Sequence, residues 1–196
     1  MCLLSCCLHI LGYVNTFSNN NKKKDPTFEW HPDEDTDGDD DNYTLSQWLN
    51  LNSFVARLFA SGVIAYENFP LWQLRKGLED DDLAAEAKGA AACCCSSAEA
   101  ADNNRVAVAC EWIIRAGPAL LRLCLLDRQD LDEALRGSAR VGDLFRGGCP
   151  GFNLERWVFW KKRLEELRST VGAGVVSSVE EAIESMRTSA VVLVGN

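Results

Sequence analysis

Apolar residues return every three or four positions through most of the chain after residue 44, and this period constrains the fold more than any other feature. In the first such run they fall at i, i+3, i+4, i+7 and i+8, which places them on one side of an α-helix: Leu51, Phe54, Val55, Leu58 and Phe59. No run with the two-residue period of a half-buried strand competes with this pattern. The sequence therefore predicts an all-α fold, a single irregular bundle of about five to six helices over residues 45–194.

Capping signals set the expected ends of the first two helices. The first is expected to start at Thr44 and to stop at Gly62, because glycine readily adopts the left-handed conformation that ends a helix. Asn68 is expected to cap the second helix, with Pro70 in its first turn, and this helix is expected to run to about residue 80.

The third helix is expected to be long, apolar and central. Its apolar residues recur on one face between positions 106 and 124. Gly117-Pro118 falls in the middle of this run, and proline lacks a backbone donor and crowds the preceding turn. We therefore expect a kink or a break at that point.

The last two helices have the clearest signals. In the segment GFNLERWVFWKKRLEEL, Asn153 is expected to cap, Glu155 lies in the first turn, and Trp157 and Trp160 belong to the inward face. A capping box at Ser178 is expected to start the final helix, whose inward residues would be Val179, Ala182, Ile183, Met186, Ala190 and Leu193.

An acidic tract dominates the charge of the chain. The net charge is −9, from 20 Lys+Arg against 29 Asp+Glu, and nine of the acidic residues fall between positions 25 and 41. This balance disfavours a general affinity for nucleic acid or for an anionic membrane. Residues 1–44, a cysteine-rich start followed by this tract, are expected to be disordered because they cannot bury enough apolar area. A low-complexity stretch at about residues 81–104 is expected to be a surface insertion in the helical domain.

The cysteines indicate the compartment. There are nine, an odd number in clumps, which is typical of free thiols in a reducing environment such as the cytoplasm or nucleus. The apolar residues 2–14 are too few to cross a bilayer as a helix, and no positive charge precedes them as in a secretory signal. A secretory signal, or an acyl anchor on Cys2, Cys6 or Cys7, stays open as an alternative.

Neither a metal nor a cofactor is predicted. The chain has no C-x-x-C pair and two histidines, His9 and His31, so the usual zinc ligand sets have no starting point. Asp33-x-Asp35-x-Asp37 begins like a calcium loop, but its twelfth position is Thr44, where the loop requires a bidentate glutamate.

Several segments, taken in order, resemble a known family. They are LNSFVARLFASGVI from Leu51, LWQLRKGLE from Leu71, ACEWIIRAG from Ala109, GFNLERWVFWKKRLEEL from Gly151 and EEAIESM from Glu180. Together they resemble the fungal proteins grouped as domain of unknown function 3632, over about residues 48–187. The resemblance implies an intracellular, all-helical domain of unassigned role, and it supplies no catalytic residues to carry over.

Three functions compete for these residues. An enzyme or small-molecule binder would use arginine and glutamate side chains in a cleft between helices to hold an anionic substrate; the candidates are Arg57, Glu111, Arg115, Glu155 and Arg156. Weak nucleic-acid binding would use the alternating aromatic and basic residues 156–163. The enzyme hypothesis has no histidine or activated nucleophile to support it.

The interpretation we favour is a non-catalytic module that binds another protein or a second copy of itself. Large aromatic residues that do not all fit inward faces would serve as its anchors; they are Trp48, Phe69, Trp72 and Phe159.

Overall fold

The computed structural model describes residues 44–80, 95–127, 136–137 and 139–194. These residues form five α-helices and one short 3-10 helix, and no strand occurs among them. The prediction of an all-α bundle is confirmed. The predicted disordered arm before Thr44 and residues 81–94 of the predicted insertion lie outside the described residues.

The first helix, α1, spans Leu45–Ala60 and begins as expected. The Thr44 hydroxyl accepts a hydrogen bond from Gln47 N, and the Gln47 side chain accepts one from Thr44 N, so both orphan donors are satisfied. After the helix, Gly62 has φ = +75°, which glycine adopts without steric cost. The capping residues in the sequence therefore predicted both ends of α1.

The second helix, α2, spans Asn68–Leu78, and the expected cap at Asn68 is wrong. Asn68 is the first helical residue, and Glu67 before it already has helical backbone angles and makes no side-chain cap hydrogen bond. The chain enters α2 through a turn in which Phe69 N donates to Tyr66 O. Pro70 does lie in the first turn, where its missing donor is not needed.

The third helix, α3, spans Cys95–Leu126, so of the kink or break expected at Gly117-Pro118, the break into two helices does not form. Pro118 lies on the exposed side, where water can hydrate the carbonyl that loses its partner. Across the helix, the Ser185 hydroxyl donates to Ile113 O at 3.0 Å. The helix ends at Asp127, which has φ = +43°. Residues 95–104, which the sequence assigned to the insertion, belong to α3.

The last two helices are α4, Leu154–Leu167, and α5, Ala173–Val194. Asn153 caps α4 as predicted, with its side chain accepting from Arg156 N at 2.7 Å. The capping box at Ser178 is wrong, because Ser178 lies inside α5. The start of α5 is tied instead to α3, where Asn103 Oδ1 accepts from Gly172 N at 2.9 Å.

The inward face of α5 also departs from expectation at one position. Val179, Ala182 and Met186 are buried as predicted and Ile183 is half-buried, but Ala190 is exposed and Ser189 is buried in its place. Burial of Ser189 is tolerated because its hydroxyl donates to Ser185 O at 2.7 Å. The side chain of Leu193 lies outside the described residues.

The core is built around α3, as the sequence predicted. This helix packs against α1, α2 and α5, while α4 lies against α5, α3 and α2. The fully buried residues of α3 lie at the centre of the bundle: Val108, Ala109, Cys110, Trp112, Ile113, Ala116, Leu120 and Cys124. No helix in the described part of the chain has both the length and the apolar character needed to cross a membrane.

Candidate functional site

A buried ion pair joins the end of α2 to the first turn of α4. Glu79 follows the last residue of α2, and Arg156 lies one turn after the Asn153 cap of α4. Both side chains are fully buried. Arg156 Nε donates to Glu79 Oε1 at 2.6 Å, and a second nitrogen, Nη2, donates to Glu79 Oε2 at 3.0 Å. This is the two-bond geometry in which guanidinium and carboxylate are most complementary.

The remaining donors of Arg156 hold the chain between α3 and α4. Nη1 donates to Ala139 O at 2.9 Å and to Gly151 O at 3.0 Å, and Nη2 also donates to Arg140 O at 3.0 Å. With the two bonds to Glu79, all five N–H donors of the guanidinium are used. The residues from Ala139 to Gly151 are therefore anchored to the bundle at both ends by one side chain.

Glu79 is bonded as completely as its partner. Besides the arginine, its carboxylate accepts from Trp160 Nε1 at 2.6 Å and from Gly142 N at 2.9 Å. The Arg156 guanidinium also lies 5.6 Å from the centre of the Trp160 ring, within the range of a cation–π contact. We call Glu79, Arg156, Trp160 and Gly142 the buried cluster.

Gly142 has no room for a side chain in this cluster. A Cβ there would lie 2.6 Å from the Glu79 Cβ and 2.6 Å from the Asp80 Oδ1. The backbone of the connecting segment can reach the carboxylate only because position 142 is glycine. The short 3-10 helix Asp143–Phe145 follows directly, with Leu144 N donating to Glu79 O at 2.8 Å.

A second cation, Arg75, is buried beside the cluster. Its Nε lies 3.7 Å from Asp80 Oδ2 without forming a hydrogen bond, and its Nη1 reaches Gly137 O at 3.4 Å. Burial lowers the pKa of Arg75 more than the Asp80 charge raises it. This residue adds a further link from α2 to the same connecting segment.

A polar contact also lies inside the apolar core at the other side of α3. Trp112 Nε1 donates to Asn52 Oδ1 at 3.0 Å, and both residues are fully buried. Asn52 Nδ2 in turn donates to Trp48 O at 3.0 Å. The Trp112 ring meets Phe59 with centroids 5.9 Å apart. This contact fixes α1 against α3.

The charged candidates from the sequence lie at different places. Arg57 is exposed and donates to Ser53 Oγ at 2.8 Å, while Glu155 is exposed on α4. Glu111 and Arg115 are brought together, since they form an ion pair of 3.1 Å one turn apart on α3. Arg156 is the buried partner of Glu79 described above. Of these arginines, Arg156 alone has all its donors bonded within the protein, whereas Arg57 and Arg115 are exposed.

The aromatic candidates are all partly buried. Phe69 contacts Trp72 and Trp112, with ring centroids 6.3 Å and 5.7 Å apart. Phe159 stacks on Phe145 of the 3-10 helix at 4.7 Å. Trp48, half-buried, supplies the carbonyl that Asn52 binds. In residues 156–163, Trp157 and Trp160 are buried, so their ring faces are not presented for stacking on a base.

An apolar surface lies on the outer side of α4. Val158 is 64% exposed and Leu154 is 47% exposed, one turn apart on the helix. Leu144 of the 3-10 helix is 37% exposed, and its neighbour Phe145 contacts Phe159, the residue after Val158 on α4. We call Leu144, Leu154 and Val158 the α4 surface. The buried cluster fixes the position of both elements that form it.

The described thiols differ in accessibility. Cys149 is exposed, whereas Cys110 and Cys124 are buried. Burial raises the pKa of both buried thiols to about 12, so neither forms a thiolate at neutral pH. Among the described residues, no group of three or more His, Cys, Asp or Glu side chains is arranged to hold a metal ion.

Sequence reasoning did not find Glu79, Gly142 or Asn52. Glu79 closes the segment LWQLRKGLE and is followed by three aspartates, so its composition resembles a solvated helix end. Its partner is 77 positions away. The sequence marks Glu79 only as a glutamate at the end of an otherwise apolar helix face, and this position alone does not identify a buried residue.

Comparison with known families agrees with the resemblance seen in the sequence. A family model described as a protein of unknown function, DUF3632, matches residues 14–164. The match begins well before Trp48 and ends in α4, so it leaves out the α5 segment that the resemblance included. Neither the curated proteins nor the solved structures gave a match.

Proposed function

Since the chain belongs to the DUF3632 family of proteins of unknown function, we propose its role from the described residues: it is a non-catalytic module that binds a protein partner through the α4 surface. The observation that carries the proposal is the exposure of Val158 and Leu154 on a helix whose opposite face is anchored by the buried cluster. Neighbouring exposed apolar side chains mark a binding site more often than isolated ones do.

The use of the charged side chains supports a non-catalytic role. A substrate-binding arginine needs free donors, and all five donors of Arg156 are bonded within the protein. Glu111 and Arg115 neutralise each other on one helix. Arg156 is thus committed to holding the fold together, and Glu111 and Arg115 are bonded to each other.

The rigidity of the support favours binding at this surface. Leu144 lies on a segment tied to the bundle at Ala139, Arg140, Gly142 and Gly151, and Leu154 and Val158 lie on a capped helix. A preorganised surface loses little conformational entropy when a partner binds. The buried free thiols Cys110 and Cys124 support a reducing compartment, the cytoplasm or nucleus, as the place of this function.

Site-specific photo-crosslinking in the native cell tests the proposal. Val158 is replaced by p-benzoylphenylalanine in the full chain, and Val191 of α5, 69% exposed, is replaced in a matched control. We expect a discrete adduct from position 158, identified by mass spectrometry, that is missing or much weaker from position 191. Equal, heterogeneous labelling at both positions would contradict a binding role for the α4 surface.

A further inference from the structure

The outer face of α4 carries a regular arrangement of charge around its apolar centre. Glu155 and Lys162 are both exposed and are seven positions apart, which is two helical turns, so they lie on one stripe. Val158, on the neighbouring stripe, lies about midway between them. From Glu155 to Lys162 the exposed face therefore reads negative, apolar, positive, and the exposed Glu165 and Glu166 follow beyond Lys162.

This arrangement is self-complementary under a two-fold axis. If two copies of α4 pack antiparallel with the axis between Val158 and Phe159, the two valines lie beside the axis, and Glu155 of each copy faces Lys162 of the other. Antiparallel pairing gives two attractive charge pairs, whereas parallel pairing in register sets like charges opposite each other. Closed two-fold contacts of this kind are the commonest form of self-association.

The two charged residues are available for such contacts. Lys162 forms an ion pair within its own helix, in which its Nζ lies 3.9 Å from Glu166 Oε1, and the two side chains are 75% and 50% exposed. An exposed pair of that length contributes little, so Lys162 can turn to another carboxylate at small cost. Glu155 is exposed in the first turn of α4.

We infer that a second copy of this chain docks antiparallel on the outer face of α4, with Val158 at its centre and Glu155 paired with Lys162 of the other copy. This inference rests on the proposed function and specifies the partner. A helix of 14 residues is about 21 Å long, so even with Leu144 and Leu154 the contact is smaller than the ~800 Å² per partner of a stable dimer. The dimer is therefore weak and reversible.

Sedimentation velocity of the full chain measures this association. Between about 1 µM and about 1 mM, the weight-average sedimentation coefficient should rise toward that of a dimer. Val158→Asp should weaken association at least tenfold, because it places two carboxylates beside the two-fold axis. Val191→Asp, a matched change on α5, should leave it unchanged.

Charge reversal provides the decisive comparison. Glu155→Lys alone and Lys162→Glu alone should each weaken association about tenfold, since each creates two like-charge pairs. The double variant Glu155→Lys/Lys162→Glu should restore it to within about twofold, because the pairs are re-formed with opposite polarity. Circular dichroism of each variant verifies the helical fold.

The outcomes separate this inference from the proposed function. A chain that stays monomeric across the whole range, or a double variant that associates no better than the single variants, overturns self-docking. If position 158 then crosslinks to a different protein, the proposed function stands without the dimer. If position 158 gives no specific adduct, both are overturned.

Discussion

Arg156 Nε lies 2.6 Å from Glu79 Oε1, in an ion pair from which water is excluded and in which every hydrogen-bonding group of the guanidinium has a partner. The pair joins residues that are 77 positions apart in the chain. An isolated buried charge is very costly, and a pair offsets that cost only when its geometry and remaining hydrogen bonds are complete. The hydrogen bonds of Arg156 and Glu79 are complete, so we infer that the pair stabilises the fold.

Removal of either partner should therefore destabilise the fold strongly. Glu79→Ala leaves the Arg156 guanidinium buried without a counter-charge, and we expect a loss of about 3–5 kcal/mol in the free energy of unfolding. Urea denaturation followed by circular dichroism measures this loss. Arg187→Ala, which removes an arginine from the exposed ion pair with Glu184, is the matched control and should leave the unfolding midpoint unchanged.

A double-mutant cycle of Glu79→Leu, Arg156→Leu and the double variant Glu79→Leu/Arg156→Leu tests whether the two side chains depend on each other. The cost of the double variant should be clearly smaller than the sum of the two single leucine variants, because no unpaired charge is left behind. Additive costs would mean that the two side chains do not depend on each other.

The contact between Asn52 and Trp112 should be worth less, because both groups are neutral. Asn52→Leu leaves the Trp112 indole N–H buried without an acceptor, and we expect a loss of about 1–3 kcal/mol. Trp112→Phe added to Asn52→Leu removes the orphaned donor, so the second change should cost less in that background than in the wild type. Equal costs in the two backgrounds would argue against the hydrogen bond.

Two helical glycines should respond in opposite ways to alanine. At Gly77 a Cβ would lie 2.6 Å from Arg105 O and 2.7 Å from the Ala109 Cβ, so Gly77→Ala must push α2 away from α3. We expect it to destabilise by about 1–3 kcal/mol despite the better helix propensity of alanine. At Gly174 of α5 nothing lies within 4 Å, and Gly174→Ala should stabilise by up to about 1 kcal/mol. Thermal unfolding of both variants checks this; a loss at Gly174 comparable to that at Gly77 would refute the packing argument.

The buried thiols should make stability fall at alkaline pH. Cys110 and Cys124 have a pKa near 12 in the folded chain, against 9.0 when unfolded. A raised pKa stabilises the fold fully below pH 9, and this contribution is lost as the pH rises toward 12, because the unfolded chain releases protons first. The double variant Cys110→Ala/Cys124→Ala should show a shallower decline of unfolding free energy between those limits.

Alkylation gives an independent measurement on the same thiols. At pH 8, iodoacetamide should modify the exposed Cys149 in the native protein and reach Cys110 and Cys124 only after denaturation. Rapid native-state modification of either buried thiol, located by peptide mass spectrometry, would show that the helices around it open.

The elements of the fold were predictable because they follow from local information. The apolar period marked α1, α3 and α4, and the caps at Thr44 and Asn153 were located by the side chains that accept the first hydrogen bonds. The starts of α2 and α5 were placed wrongly. No local cap exists at either one, since Glu67 makes no cap bond and Gly172 is held by Asn103 of another helix.

The tertiary partners were beyond sequence reasoning for a physical reason. Arg156 was identified as important, but nothing near it in the sequence names Glu79, Gly142 or the carbonyl of Ala139 as its contacts. Likewise Pro118 predicted a kink or a break, and only the packed bundle shows that the exposed proline remains within one helix, α3. The local signals describe single helices, whereas these contacts arise when helices meet.

Arg156 binds the main-chain oxygens of Ala139, Arg140 and Gly151, and this affects which positions of the segment can be substituted. Every residue type supplies the same carbonyl, so the hydrogen bonds to residues 139 and 140 do not require particular side chains there, whereas Gly151 has φ = +83°, which favours glycine. The exposed side chains of this stretch can therefore be exchanged while its path stays the same, except at the glycines: a Cβ would collide with Glu79 at Gly142 and with Phe145 at Gly148, and Gly147 and Gly151 have positive φ.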